Sequence, residues 1–348
     1  LTVQLHNNNP SKRQKLYVYL QEPESRKKLL QKEIDVRPQL AEESITIDLG
    51  TLTKPHLWST VDPYLYECVV QYVDGENVLD ELTTPFGYRW FHFEPHAAFF
   101  LNGERLLLRG THRHEEHAGF GAAMPNHLHR EDMVKIKEMG ANFVRLAHYP
   151  QDPEVYKACD ELGLIVWDEL PWCRGGIGDE TWKANSRRLL KEQILQNYNH
   201  PSICFWSMGN EIYWLPDMEG GGDSTLINPF VRELNTLAHA LDPYRMTALR
   251  KYYPGATLVD VFSPSIWSGW YAGVYTSYQQ ALEREQKKYP SFLHMEYGGS
   301  SHVGRHRETP ITGSGMLDYS KWADVSNQVA FRNIAKEGDW SENYMVDL

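Results

Sequence analysis

The chain has 348 residues, 41% of them hydrophobic and 23% charged, with a formal net charge of -11. That is enough apolar chain for one large core plus a smaller domain. The negative balance, with no basic stretch interleaved with aromatics, argues against nucleic-acid and anionic-membrane partners, and no run approaches the roughly 18 apolar residues of a spanning helix.

Residues 1–87 read as a small β-sandwich. Lys15 to Leu20, Ser44 to Leu49 and Leu65 to Tyr72 are strand candidates, and Asp74-Gly75 is a strong hairpin turn. Pro55, Pro63 and Pro85 punctuate the segment. No signal peptide opens the chain, which starts in a strand-like phrase. The compartment is therefore not legible; a leader further upstream would favour the periplasm or the exterior.

Residues 88–348 change period. Short apolar runs alternate with helical stretches from about Glu104. The runs are Arg105 to Arg109, Phe143 to Ala147, Leu164 to Trp167, Ile203 to Trp206, Met246 to Leu249, Leu258 to Phe262 and Phe292 to Met295, with Tyr344 to Leu348 as an eighth. Helices are predicted near Arg130 to Met139, Pro153 to Leu162, Thr181 to Tyr198, Asn228 to Ala240 and Tyr278 to Lys288. This rhythm is that of a parallel sheet covered by helices, and the count favours a closed (β/α)₈ barrel whose last helix lies beyond the chain. Ser300 to Glu342 reads as a substrate-covering loop with a helix.

Two glutamates carry the chemistry. Glu211 closes Ile203-Cys204-Phe205-Trp206-Ser207-Met208-Gly209-Asn210-Glu211, and Glu296 closes Phe292-Leu293-His294-Met295-Glu296. Each follows an apolar strand, and strand C-termini of a parallel barrel surround one pocket. Two carboxylates there suit glycoside hydrolysis; a gap of roughly 5 Å gives retention and a wider one inversion. Glu211 is expected as general acid and then base, with a pKa raised toward neutrality. Glu296 is expected as an ionised nucleophile among donors such as Tyr297, Arg145 or His294.

Around them, Asn210, His114, His148 and Arg145 can meet sugar hydroxyls or hold the carboxylates. Asp168-Glu169 ends the third strand; either acid can orient a neighbour or salt-bridge to Arg145, and Asp168 is also a candidate substrate contact. Trp172, Trp267 and Tyr271 can wall a sugar subsite or simply pack; 11 Trp and 20 Tyr suit either. His112-x-His114 with Glu115 and His117 lacks HExxH spacing, so no metal is expected. Cys68, Cys159, Cys173 and Cys204 form no CxxC pair, and no disulfide framework is expected. The absence of GxSxG and GxGxxG elements disfavours a serine hydrolase and a dinucleotide cofactor, so no cofactor is expected.

The chain resembles glycoside hydrolase family 2, the β-galactosidase and β-glucuronidase group. The carrying phrases are Pro85-Phe86-Gly87-Tyr88-Arg89, Leu107-Leu108-Arg109-Gly110, Arg113-His114-Glu115, Val144-Arg145-Leu146-Ala147-His148-Tyr149-Pro150, Cys159-Asp160-Glu161-Leu162-Gly163, Val166-Trp167-Asp168-Glu169, Ser207-Met208-Gly209-Asn210-Glu211 and Met295-Glu296-Tyr297-Gly298. The resemblance implies an immunoglobulin-like β-sandwich before a (β/α)₈ TIM barrel. It also implies acid/base at Glu211, nucleophile at Glu296, and sugar contacts at Asn210, His114 and His148.

There are two departures from the family pattern. Leu170-Pro171-Trp172-Cys173 stands where large bacterial β-galactosidases carry magnesium ligands, and Trp267 stands where many members place a tyrosine beside the nucleophile. β-Glucuronidases of the family read the sugar acid with an Asn-x-Lys phrase, which is not seen between Gly298 and Leu348, although Arg305 and Arg307 lie nearby. The sequence therefore leans to a retaining exo-β-galactosidase acting on terminal β-galactosides. β-Glucuronide, β-mannoside and non-catalytic carbohydrate binding are the alternatives, and a homo-oligomer is left open.

Overall fold

The computed structural model describes residues 1–6, 14–36, 42–213, 222–268, 270, 277–306 and 341–347. The first unit is all β. Strands β2 (Gln14–Gln21), β3 (Lys28–Val36), β5 (Tyr66–Asp74) and β6 (Asn77–Phe86) form an antiparallel sheet in the order β3-β2-β5-β6. Strands β1 (Thr2–His6) and β4 (Glu42–Thr46) pair separately. The two layers meet over Leu5, Leu16, Val18, Val36 and Ile47. Asp74 pairs with Asn77 across the expected hairpin, and Gly75 takes the left-handed turn conformation. β3 escapes sequence detection because it is polar and mostly exposed.

A small antiparallel sheet follows, built from β7 (Phe91–Glu94), β8 (Ala98–Leu101) and β9 (Glu104–Leu106). Its Phe91, Phe93, Phe99 and Leu101 pack against Phe143, Trp167 and Phe205 of the barrel. Six parallel strands then run in sequence order: β10 (Gly110–Arg113), β11 (Phe143–Leu146), β12 (Ile165–Glu169), β13 (Ile203–Asn210), β14 (Met246–Arg250) and β15 (Val261–Ser263). Helices α1 (Asn126–Glu138), α2 (Pro153–Leu162), α3 (Glu180–Asn197), α4 (Ser224–Leu241) and α5 (Tyr278–Lys288) cross between or follow them. The helix starts follow local chemistry: the side chains of Asp152, Asp179 and Asp223 cap α2, α3 and α4. The fold is a TIM barrel preceded by an immunoglobulin-like β-sandwich.

Three sequence expectations need correction. Arg105 to Arg109 is not the first barrel strand: Glu104–Leu106 pairs antiparallel with β8, and the Asn142 side chain ties the Leu107 carbonyl and the Arg109 amide into a bend. The barrel strand starts only at Gly110, beside Phe143. Phe292 to Met295 makes a single parallel bridge, Phe262 to Phe292, rather than a full strand. Tyr344 to Leu348 is not an eighth strand, since Glu342–Asp347 is a helix, α6, with Tyr344 buried; Leu348 is outside the described residues. Most of the expected covering loop, 307–340, also lies outside them.

The sandwich is clamped to the barrel. Trp58 is fully buried and donates from Nε1 to the Asp160 carbonyl at 2.8 Å. Arg89 donates to the carbonyls of Pro201 and Ile203 at 2.8 and 2.9 Å.

Gly110 is set by close approach: a Cβ there would lie 1.8 Å from the Phe143 carbonyl oxygen. That atom is backbone and cannot step aside. Gly110→Ala is expected to cost about 3 kcal/mol by forcing β10 from β11, read as a shift of the urea unfolding midpoint.

Candidate active site

Alternation along the strands decides which side chains enter the barrel. In β12, Ile165 and Trp167 face the inner core while Val166 joins the helix-side core. Glu169 continues the inward set and Asp168 the outward one. In β11, Phe143 faces in and Val144 and Leu146 face out, which places Arg145 inside. In β14, Ala248 faces in and Leu249 out, which places Arg250 inside.

These inward residues meet at the strand C-termini. Arg145, 1% exposed, donates from Nη1 to Glu296 Oε2 at 3.0 Å and from Nη2 to Glu169 Oε1 at 2.9 Å. Its Nη2 also donates to Asn210 Oδ1 at 2.9 Å. Arg250, fully buried, places Nη1 2.9 Å from Asn210 Oδ1, 3.0 Å from Glu211 Oε1 and 2.9 Å from Glu296 Oε2. One nitrogen that close to both carboxylates limits those two oxygens to less than about 6 Å apart. Lys251 Nζ adds a 2.6 Å bond to Glu211 Oε1. Trp167 Nε1 and Ser207 Oγ donate to Glu169 at 2.9 and 3.1 Å, fixing the counter-ion of Arg145.

The backbone delivers Glu211 by an unusual route. Gly209 has φ +151°, and a Cβ there would lie 2.7 Å from the Trp172 carbonyl. Asn210 then bonds through its own backbone to Trp172 and Arg174, and Glu211 turns left-handed at φ +55°. Only glycine fits the close crossing, which accounts for Gly209-Asn210-Glu211 as a unit.

Burial pushes both catalytic candidates up, and the cations outweigh it. Arg250 and Lys251 hold the Glu211 carboxyl down at about 2. Arg250 and Arg145 hold Glu296 below the ordinary carboxylate range, against burial and the Glu211 charge. The Glu296 result matches an ionised nucleophile. The Glu211 result is the reverse of the sequence expectation, because its nearest partners are cations. Glu169 is likewise lowered, Arg145 and His148 overcoming its burial.

His148 Nδ1 lies 2.7 Å from Glu169 Oε1 and 3.0 Å from Arg145 Nη2. The shorter contact, to a carboxylate that can only accept, is made by Nδ1 as donor. The His114 ring stands edge-on to it with centroids 5.2 Å apart. Trp267 covers Arg250, whose guanidinium carbon is 5.9 Å from the ring centroid. Tyr271 lies outside the described residues. Among the described residues, no three His, Cys, Asp or Glu side chains converge as a metal-binding group, and no helix is long and apolar enough to cross a membrane.

A model of glycosyl hydrolases family 2, TIM barrel domain, matches residues 95–313, and a second model, glycosyl hydrolases family 2, matches residues 1–89. The chain belongs to glycoside hydrolase family 2. It is 62% identical over 302 residues to a Formosa agariphila protein with a provisional β-glucuronidase name, covering 87% of this chain and 37% of that protein. It is 36% identical over 214 residues to a β-galactosidase of Thermoanaerobacter pseudethanolicus, covering 61% of this chain and 27% of that enzyme. The crystal structure of Parabacteroides merdae β-glucuronidase superposes with a TM-score of 0.88 at 37% identity, over 99% of this chain and 43% of that one. The chain thus spans less than half the length of these family-2 relatives.

Two residues expected at the substrate sit elsewhere. Asp168 is fully buried on the helix side, accepting from Tyr156 OH at 2.9 Å and Asn197 Nδ2 at 3.3 Å. Trp172 is 3% exposed, donates to the Gly176 carbonyl and packs against Trp182 and Phe230. Neither can touch a sugar. Arg145 is committed to carboxylates rather than to hydroxyls. Sequence reasoning offered either Asp168 or Glu169 as the partner of Arg145, and Glu169 takes that place; it put only Asp168 forward as a sugar contact, and passed over Arg250 and Lys251. The last pair was findable: Arg250-Lys251 follows an apolar strand just as Asn210-Glu211 does.

Two outcomes are expected. Burial raises Asp168 to about 6, so its folded carboxyl prefers the proton. The stability this gives is complete below its unfolded pKa and is lost as pH rises through about 6. Asp168→Asn should flatten stability between about pH 4 and 6 in urea titrations and leave KM within about twofold. Arg145→Lys loses the guanidinium fork and should destabilise by about 3 kcal/mol, because Glu169 stays buried and underpaired; thermal unfolding checks it.

Proposed function

We propose that this chain carries the catalytic centre of a retaining exo-β-glycosidase that removes a terminal β-glucuronide. The observation that supports it most is the shared Arg250 Nη1, 3.0 Å from Glu211 and 2.9 Å from Glu296. Carboxyl groups this close suit a covalent glycosyl-enzyme and leave too little room for the water of an inverting enzyme.

Glu296 attacks the anomeric carbon while Glu211 protonates the departing oxygen. The C1–O bond breaks, a C1–Glu296 ester forms, and the proton moves from Glu211 to the leaving group. Glu211 then removes a proton from water, which attacks C1 and releases Glu296. Arg145 and Arg250 hold the nucleophile ionised, in place of a phenol. His114, His148 and Trp267, which stand beside these ions, and Asn210, which accepts from both arginines, are the proposed sugar contacts.

The sugar follows from likeness. The β-glucuronidase relatives match with more identity or over more of the chain than the β-galactosidase does. The lean toward galactose rested on a missing Asn-x-Lys phrase. The chain spans 37% of the Formosa agariphila relative, so a phrase absent from this stretch carries no weight.

Hydrolysis of phenyl β-glucuronide, β-galactoside and β-mannoside tests the reading, with the glucuronide expected to be fastest. The first product seen by NMR should be the β-anomer. Glu296→Ala should lower kcat at least about 10⁴-fold, in line with loss of a covalent nucleophile. Undiminished turnover in that variant rules Glu296 out as nucleophile.

A further inference from the structure

Glu296 is not carried by a regular strand. Its segment meets β15 at a single bridge, Phe262 to Phe292. There Phe262 N donates to the Ser291 carbonyl at 3.1 Å and Leu293 N to the Phe262 carbonyl at 3.3 Å. A parallel ladder would continue at Pro264, which has no N–H to give. In that ladder the Met295 amide would reach the Pro264 carbonyl. It goes instead to the Ser263 hydroxyl oxygen at 3.0 Å, and that oxygen lies 3.4 Å from the Pro264 carbonyl oxygen. The fully buried Ser263 side chain thus stands in the ladder as a spacer one oxygen wide.

Parity shows what the spacer does. Ser263 is the register partner of Arg250, and the pair continues the inward set of Ala248 and Val261. On the nucleophile segment Leu293 lies in the same inner layer and Met295 packs against it. His294 alternates away from them and meets the Tyr278 hydroxyl, on the first residue of α5, at 2.7 Å. Continued alternation would send Glu296 outward with His294. Its carboxylate instead lies 3.0 Å from Arg145 Nη1 and 2.9 Å from Arg250 Nη1, inside the barrel. The chain therefore leaves strand geometry between Met295 and Glu296, directly after the amide that Ser263 holds.

We propose that Ser263 is a positioning residue for the nucleophile, its hydroxyl fixing the Met295 backbone so that Glu296 turns in between the two arginines; this rests on the reading of Glu296 as the nucleophile. Without the hydroxyl, the Met295 amide either stays unpaired or closes onto the Pro264 carbonyl. Both outcomes move the carboxylate by a fraction of the distance that in-line attack on C1 tolerates.

Initial rates on phenyl β-glucuronide, or on whichever of the phenyl β-galactoside and β-mannoside is fastest, read the effect. Ser263→Ala should lower kcat about 10- to 100-fold and leave KM within about threefold, since it misplaces the attacking group and removes no sugar contact. Ser263→Thr keeps the oxygen and should recover most of the loss. Should the added methyl unfold that variant, the crystal structure of Ser263→Ala decides alone. In that structure the Glu296 carboxylate should leave Arg145, Arg250 or both. A kcat within about twofold of wild type, a loss confined to KM, or a carboxylate still held by both arginines overturns the proposal. A carboxylate displaced in Ser263→Ala, in a protein that hydrolyses none of the three glycosides, would sustain Ser263 as the residue that places Glu296 while refuting Glu296 as the nucleophile.

Discussion

Two guanidinium groups, those of Arg145 and Arg250, sit without solvent at the centre of this barrel. A buried charge left alone costs several kcal/mol, so each must be surrounded by anions and acceptors. Glu169 answers Arg145 from the neighbouring strand, and Glu211 and Glu296 answer Arg250. Asn210 accepts from both. The carboxylates that do the proposed chemistry are therefore also the counter-ions that make the two arginines tolerable. Electrostatic stability and catalytic placement are one arrangement, and moving any member strands a charge.

The scaffold makes that arrangement rigid. Parallel strands buried on both faces fix side-chain direction by parity, and the inner aromatic layer of Trp167, Phe205 and Phe99 supports the floor beneath the ions. The sandwich is held against the barrel by Trp58 and Arg89, so the first domain meets the barrel through specific bonds. Rigid charge placement suits a nucleophile that must be ionised before the substrate arrives. It suits an acid catalyst less well, because the cations that order Glu211 also hold its proton off.

Family membership and substrate identity stand on different footings. Residues 1–89 and 95–313 match the two family-2 models, and the fold agrees with solved members. The sugar is chosen by side chains around C4 and C5 of the ring. A chain spanning less than half of its relatives need not hold all of those. The same barrel floor serves glucuronidases and galactosidases, which is why the fold by itself does not choose between them.

The βα rhythm, the hairpin at Asp74-Gly75, the helices near Pro153 to Leu162, Thr181 to Tyr198 and Asn228 to Ala240, and the two glutamates after apolar runs were legible in the linear chain, because each depends on periodicity or on a local backbone rule; the start of the last of these helices was not, since it begins at Ser224 behind the Asp223 cap. The phase of the alternation was not. In Ile165-Val166-Trp167-Asp168-Glu169 every residue is buried, so hydrophobicity does not mark the inner face, and Asp168 rather than Glu169 was put forward as a sugar contact. The first strand was misplaced because Arg105 to Arg109 is apolar enough for a barrel strand but is claimed by β8. The pKa of Glu211 was out of reach for a related reason: Arg250 and Lys251 lie about 40 residues away, and only the β13–β14 pairing brings them within 3.0 Å. Sequence by itself determined most of the elements and put forward Glu211 and Glu296 as the candidate reacting carboxylates, because those signals are local. Tertiary structure decided which faces turn inward and which charges meet, because those depend on contacts between strands far apart in the chain.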